Sequence, residues 1–205
     1  MNAPRDLIAE VGERFARDVA KHQLTVLHDD GLYRHLRFRR PESSFDWFDL
    51  VTWPGVLAIN GDMGGYVFSR VTDMLTFFRA ASGWNHNTIN PQYWAEKVKA
   101  HDGIRRYSEE RFRQLVIEHF VDAVKSGHAP AGLGRAVREE ILDSDEIAYE
   151  DGACRALRDF EHKGFRFEDT WEWDLSEYTH QYLWCCHAIQ WGVEQYDKAR
   201  VAVTS

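Results

Sequence analysis

The chain of 205 residues is 44% hydrophobic and 14% aromatic, with 8 Trp, 8 Tyr and 12 Phe, which supplies a sizeable core and excludes disorder for its bulk. A formal net charge of -8 at pH 7 argues against duplex nucleic acid, whose phosphates require a basic face. No apolar run approaches the roughly 20 residues of a membrane-spanning helix, and residues 1–18 interleave Arg5, Glu10, Glu13, Arg14 and Arg17 with their apolar positions, so no signal-peptide core is expected.

Pro4 suits a first helical turn, and Leu7, Ile8, Val11, Phe15, Val19 and Leu24 recur at helical spacing. That pattern predicts a helix reaching about His28 and stopping at Asp29-Asp30-Gly31. The period then changes. Residues 33–39 alternate, with Leu36 and Phe38 on one side and His35, Arg37 and Arg39 on the other. Three more short strands are predicted over residues 45–52, 56–60 and 66–70. They are separated by Pro41-Glu42-Ser43-Ser44, by Trp53-Pro54-Gly55 and by Gly61-Asp62-Met63-Gly64-Gly65. Links this short join only antiparallel neighbours, so the centre reads as a small four-strand meander.

Helical spacing returns after Thr72 with Met74, Leu75, Phe77 and Phe78, ending near Gly83. Asn90-Pro91 is an N-cap followed by Pro at the first helical position, predicting a helix through Tyr93, Trp94 and Val98 to Asp102-Gly103. Ser108 caps the next, through Phe112, Leu115, Val116 and Phe120. A loop at 128–132, helices over 133–142 and 147–162, a last helix from Ser176-Glu177 and a frayed tail at 201–205 complete the chain. The fold class is α+β: a small antiparallel four-strand meander packed against a mostly helical C-terminal portion. Residues 1–205 read as one domain, without repeat or linker, in the cytoplasm.

The cysteines are odd in number, and Cys185 and Cys186 are neighbours that cannot pair without strain, so Cys154, Cys185 and Cys186 read as free, buried thiols. Among ten histidines no zinc spacing occurs; His180 and His187 lie about 10 Å apart by helical rise, too far to share one ion unaided. His86-Asn87-Thr88 matches one half of a two-histidine phosphoesterase pattern and has no second copy. Gly61-Asp62-Met63-Gly64-Gly65 is neither a P-loop nor a dinucleotide fingerprint, and reads as a hairpin loop with glycines at positive φ. No metal and no cofactor are expected.

The densest mixture of rings and guanidinium groups lies on the meander: His35, Arg37, Trp47, Asp49, Trp53, Asn60, Tyr66 and Arg70. Planar rings stack on bases and guanidinium groups fork onto phosphates, so the candidate ligand-binding set is Arg37, Trp53, Asn60, Asp62, Tyr66, Arg70 and His86. The competing reading makes the Trp residues core and the Arg residues a charged edge strand. Trp171-Glu172-Trp173-Asp174 reads as a short edge strand or an interface, within the acidic stretch 139–177.

The run Trp53-Pro54-Gly55-x-Leu57-x-Ile59-x-Gly61-Asp62-Met63-Gly64-x-Tyr66-x-Phe68-Ser69-Arg70, followed by Ile89-Asn90-Pro91-x-Tyr93-Trp94, resembles a family of bacteriophage and prophage proteins with no assigned activity. The resemblance implies a setting in the host bacterial cytoplasm and carries over no catalytic residue. An accessory protein of that kind would sequester a small nucleotide-like ligand to counter host defence signalling. Two alternatives stay open: a hydrolase of a nucleotide-derived signal with His86, Asp62 or His35 as acid or base, and an interaction module whose acidic surface inhibits a host protein. Neither a membrane nor duplex nucleic acid is an expected partner, and homo-oligomer formation is open.

Overall fold

The computed structural model describes residues 6–81 and 89–204. The chain divides into two compact units, Met1–Ile104 with Tyr178–Ser205, and Arg105–Glu177 between them in sequence. In chain order the elements are α1 (Leu7–Asp18), β1 (Gln23–Asp30), β2 (Tyr33–Arg39), β3 (Phe48–Trp53), β4 (Val56–Gly61), β5 (Gly64–Ser69), α2 (Met74–Ala81), α3 (Pro91–Ala95) and β6 (Val98–His101). The second stretch adds β7 (Arg105–Tyr107), α4 (Glu109–Lys125), α5 (Leu133–Ala136), α6 (Glu150–Asp159) and β8 (Ser176–Tyr178), before α7 (His180–Thr204).

The mixed α+β class holds, but the sheet has six antiparallel strands in the order β1-β2-β3-β4-β5-β6 rather than four. The two additions come from segments that read as helix. Asp6 caps α1 by accepting the Ala9 N–H at 3.1 Å, yet the helix stops at Asp18 and residues 23–30 become β1. That strand lies at the sheet edge and is exposed at seven of its eight positions, so no alternation marks it. Its register with β2 also slips between Val26 and His28, which shifts the phase of whatever pattern remains. At the other edge, Asn90 caps α3 through the Tyr93 N–H at 3.1 Å as its sequence signal demands. The helix lasts five residues, and residues 98–101 turn back to pair with β5.

One face of the sheet is apolar. Leu36, Phe38, Phe48, Leu50, Leu57, Ile59, Tyr66 and Phe68 are each at most 1% exposed and form one cluster with Tyr182, Trp184, Ile189, Val193 and Tyr196 of α7 and Val11 and Phe15 of α1. Each fully buried Phe or Leu contributes about 1.5–3 kcal/mol relative to exposure. The rings interlock: Phe48 lies edge-on to Trp184 at 5.6 Å, and Phe38 stacks on Phe48 at 4.7 Å.

The unit Arg105–Glu177 has its own core of Phe112, Val116, Ile141, Ile147, Leu157 and Phe160. β7 pairs with β8, and Arg105 fastens them by donating to Asp174 Oδ2 at 2.6 Å and Ser176 O at 2.7 Å. Ser108 caps α4 as anticipated, accepting from Arg111 N. The helix expected over 133–142 is α-helical only to Ala136 and π-helical over Val137–Leu142. The one expected over 147–162 is a 3-10 turn at Asp145–Ala148 followed by α6. Thr170–Glu172 is a 3-10 turn rather than an edge strand, with Trp171 79% exposed and Trp173 stacked on His119 at 4.0 Å. The last helix begins at His180, not Ser176, and continues through Thr204, where a frayed tail was expected.

Candidate functional site

Strand pairing fixes which side chains share the sheet face turned away from α7. Arg37 is opposite Asp49, Asp49 is opposite Asn60, and Asn60 is opposite Gly65, so these four form one row across β2–β5. His35 lies two residues from Arg37 and therefore on the same face.

Asp49 is the centre of this row. Arg37 grips it with two parallel hydrogen bonds, Nε to Oδ1 and Nη2 to Oδ2, both 2.8 Å, and His35 Nε2 lies 2.9 Å from Oδ2. Burial by itself would raise the Asp49 carboxyl, but the hydrogen bonds from Arg37 and His35 outweigh it and hold the group below the ordinary carboxylate value. The Asp49 contact in turn raises the Arg37 guanidinium. The guanidinium also lies over the Trp47 ring, 5.6 Å from its centroid. Arg37 and His35 stay partly open, at 38% and 36% side-chain exposure, while Asp49 beneath them is nearly covered. This geometry presents a pre-oriented cation and a planar ring together, with the exposed Asn60 amide beside them.

Of the residues singled out from sequence, Arg37 and Asn60 are brought into this row. Trp53 shares the face, 39% exposed, but lies four residues beyond Asp49 on β3, about 13 Å away by strand rise. Asp62 is exposed at the β4–β5 turn. Arg70 is exposed just past β5. Tyr66 is on the opposite face, 1% exposed, its ring 5.4 Å from that of Tyr182 and its hydroxyl donating to Gly103 O at 2.8 Å. Burial pushes its phenol well above the usual value. His86 lies outside the described residues. Asp49 and Trp47, which organise the row, were marked in the sequence only as neighbours on the meander.

The β4–β5 connection is a two-residue turn. Gly61 pairs with Gly64 around Asp62-Met63, and the one left-handed residue of the loop is Gly64, at φ 94°. The Gly65 N–H is already taken by Asp102 Oδ2 at 2.7 Å, so the loop is committed to the fold.

Cys185 and Cys186 are buried free thiols whose pKa burial raises strongly, the opposite of an activated nucleophile. Cys154 is a free thiol too, but exposed rather than buried as expected. Among the described residues, no group of three or more His, Cys, Asp or Glu side chains is placed to hold a metal ion, and no helix is long and apolar enough to cross a membrane. In comparisons with known proteins, the chain matches no family model, and no curated protein and no solved structure matches it significantly.

Proposed function

We propose that this protein is a non-catalytic binder of a small phosphorylated, nucleotide-like ligand, acting as a phage-type accessory protein that sequesters its ligand in the host bacterial cytoplasm. The supporting observation is the Arg37 guanidinium, held by two hydrogen bonds to Asp49 above the Trp47 ring on a partly open sheet face. A guanidinium fixed in this way loses little freedom on meeting a phosphate. Trp47 offers a stacking surface, and Asn60 has the donor and acceptor to read a base edge.

Calorimetric titration with linear and cyclic nucleotides tests the reading. Arg37→Ala and Trp47→Ala are expected to abolish any binding seen with the native chain; a full panel without heat or thermal stabilisation removes the proposal. Chromatography of the ligand after incubation separates sequestration from hydrolysis, in which His35, oriented by Asp49, would act as base.

One observation favours a second reading, an interaction module. The unit Arg105–Glu177 carries 18 acidic against 11 basic residues, so its net charge is -7 of the chain's -8. A basic host protein is the partner that charge fits, and its co-purification would be lost at high salt.

A further inference from the structure

The sheet face turned away from α7 carries more than the Arg37 row. One step along the strands lies a second row, fixed by the register. His28 is opposite His35, His35 opposite Val51, Val51 opposite Ala58, Ala58 opposite Val67 and Val67 opposite Ala100. From β3 to β6 this row is entirely aliphatic. A third row follows, with Asp30 opposite Tyr33 on β1 and β2 and Trp53 opposite Val56 on β3 and β4. Tyr33 is 54% and Trp53 39% exposed.

An antiparallel sheet with one solvated face ordinarily sets polar residues on that face and apolar ones on the core side. Here the outward positions that the rule makes polar are Val51, Ala58 and Val67, all half-buried, and Ala100, which is exposed. Val51, Ala58 and Val67 belong to neither apolar core and are not among the partly buried residues packed against one. The middle of the face is therefore an aliphatic strip bordered on one side by Arg37, Asp49 and Asn60 and on the other by Tyr33 and Trp53. Strand spacing and rise give the face about 24 Å by 20 Å, about 500 Å² on one copy, at the low end of specific interfaces.

The charges at its two ends select the occupant. Arg39 closes β2 two residues beyond Arg37 on the same face, and Asp30 closes β1 at the opposite end. Both are exposed, and neither side chain has a hydrogen bond or ion pair among the described residues. A face with a free cation at one end, a free carboxylate at the other and an aliphatic strip between them is complementary to itself. A two-fold axis along the strip reverses the strand direction and lays the strip on its own copy. It sets Arg37 over Tyr33 of the second copy, and Arg39 over the turn that follows Asp30 there.

We propose that this face pairs with the same face of a second copy of the chain, sheet on sheet, in an isologous dimer whose two-fold axis runs along Val51, Ala58 and Val67. The pairing does not rest on the ligand proposed for Arg37, but a nucleotide held there and a second copy exclude each other, because they share that row. Sedimentation velocity on the full chain is expected to show a monomer–dimer equilibrium in the micromolar range, as the small face implies. Ala58→Arg, with an unchanged circular dichroism spectrum, stays monomeric. Asp30→Arg and Arg39→Asp, at exposed positions that spare the fold, each set like charges against each other and weaken the dimer about tenfold. The double variant Asp30→Arg/Arg39→Asp restores it, since the reversed charges again meet their opposites. A native chain that stays monomeric throughout this range overturns the proposal, and so does a dimer that survives Ala58→Arg. A double variant no better than the single ones also overturns it, because the two ends of the face then do not meet. So does a nucleotide that binds through Arg37 and leaves the dimer intact, which places the interface elsewhere without touching the ligand reading.

Discussion

Removing Asp73 should cost more than removing the arginine it holds. Arg34 reaches into the core side of the sheet with 8% of its side chain exposed, donating from Nη1 to Asp73 Oδ1 at 3.0 Å and from Nη2 to Oδ2 at 3.3 Å. Its Nε has no hydrogen bond among the described residues; Asp29 Oδ1 is 4.0 Å away, and the Tyr196 ring lies beneath the guanidinium at 5.9 Å. Asp73 also accepts the Leu75 N–H at the start of α2, at 3.1 Å. Asp73→Ala therefore strands a buried cation and removes a helix cap. A broken buried pair costs about 3–5 kcal/mol and a lost cap about 1 kcal/mol. The nearby Asp29 and the 28% exposure of Asp73 reduce the first figure, so a loss of about 3 kcal/mol is expected. Asp73→Asn keeps the cap and should lose about 2 kcal/mol. Arg34→Met removes the cation and leaves Asp73 able to hydrate, at a cost of about 1 kcal/mol. The double variant Arg34→Met/Asp73→Ala should then be more stable than Asp73→Ala alone, a coupling that a double-mutant cycle reads directly. Urea unfolding followed by circular dichroism at neutral pH and low salt gives the four values. If Arg34→Met is as damaging as Asp73→Ala, and the double variant recovers nothing, the cost does not arise from a stranded charge and the reasoning fails.

His187 gives a pH dependence of defined sign. Burial depresses its folded pKa below the ordinary 6.5, so the unfolded chain binds the extra proton first. Its stabilising contribution is complete above about pH 6.5 and falls as pH drops toward the folded pKa, by at most about 1.4 kcal/mol per pH unit. Urea midpoints measured across this interval should decline in the native chain and flatten in His187→Gln; equal slopes in both would contradict the assignment. Gly152 in α6 supplies a steric test, because a Cβ there would collide with the Glu146 carbonyl oxygen. Helix propensity favours Ala by about 1 kcal/mol, yet Gly152→Ala should destabilise by roughly 1–3 kcal/mol through overpacking, a loss readable as a lowered thermal midpoint.

The inner strands were legible because each has one buried face and is bounded by turn residues: Leu36 and Phe38 alternate with His35 and Arg37, and Trp53-Pro54-Gly55 marks the β3–β4 turn. The edge strands were not, since β1 and most of β6 are exposed and exposure erases the two-residue period. The placement of Tyr66 turned on a finer point, the parity of one hairpin. Taking all five residues 61–65 as loop leaves the register between Asn60 and Tyr66 undetermined. In the structure the strands continue through Gly61 and Gly64, so Asn60 faces Gly65 and Tyr66 falls opposite Ile59. A one-residue change of register moves a side chain to the other face, and Tyr66 is consequently a core residue. The apolar set Leu57, Ile59, Tyr66 and Phe68 contained that parity.

Net charge was the coarsest of the sequence arguments, and the division of the chain changes its weight. With Arg105–Glu177 at -7, the sheet-bearing unit has 14 basic and 15 acidic residues and a net charge of -1. Within that unit prominent charges are matched in place: Arg34 with Asp73, Arg37 with Asp49, and Arg79 with Asp197 at 2.6 Å. An overall charge of -8 therefore does not describe the field of the unit that carries Arg37. The objection that an acidic protein repels an anion applies to Arg105–Glu177. For the sheet face the deciding quantity is local, namely how far Asp49 neutralises Arg37. Two 2.8 Å hydrogen bonds make that neutralisation strong, which predicts phosphate affinity dominated by geometry and by stacking on Trp47, with a shallow salt dependence. Steep weakening of nucleotide binding by salt would instead indicate several unpaired cations, and would locate the ligand away from the Arg37 row.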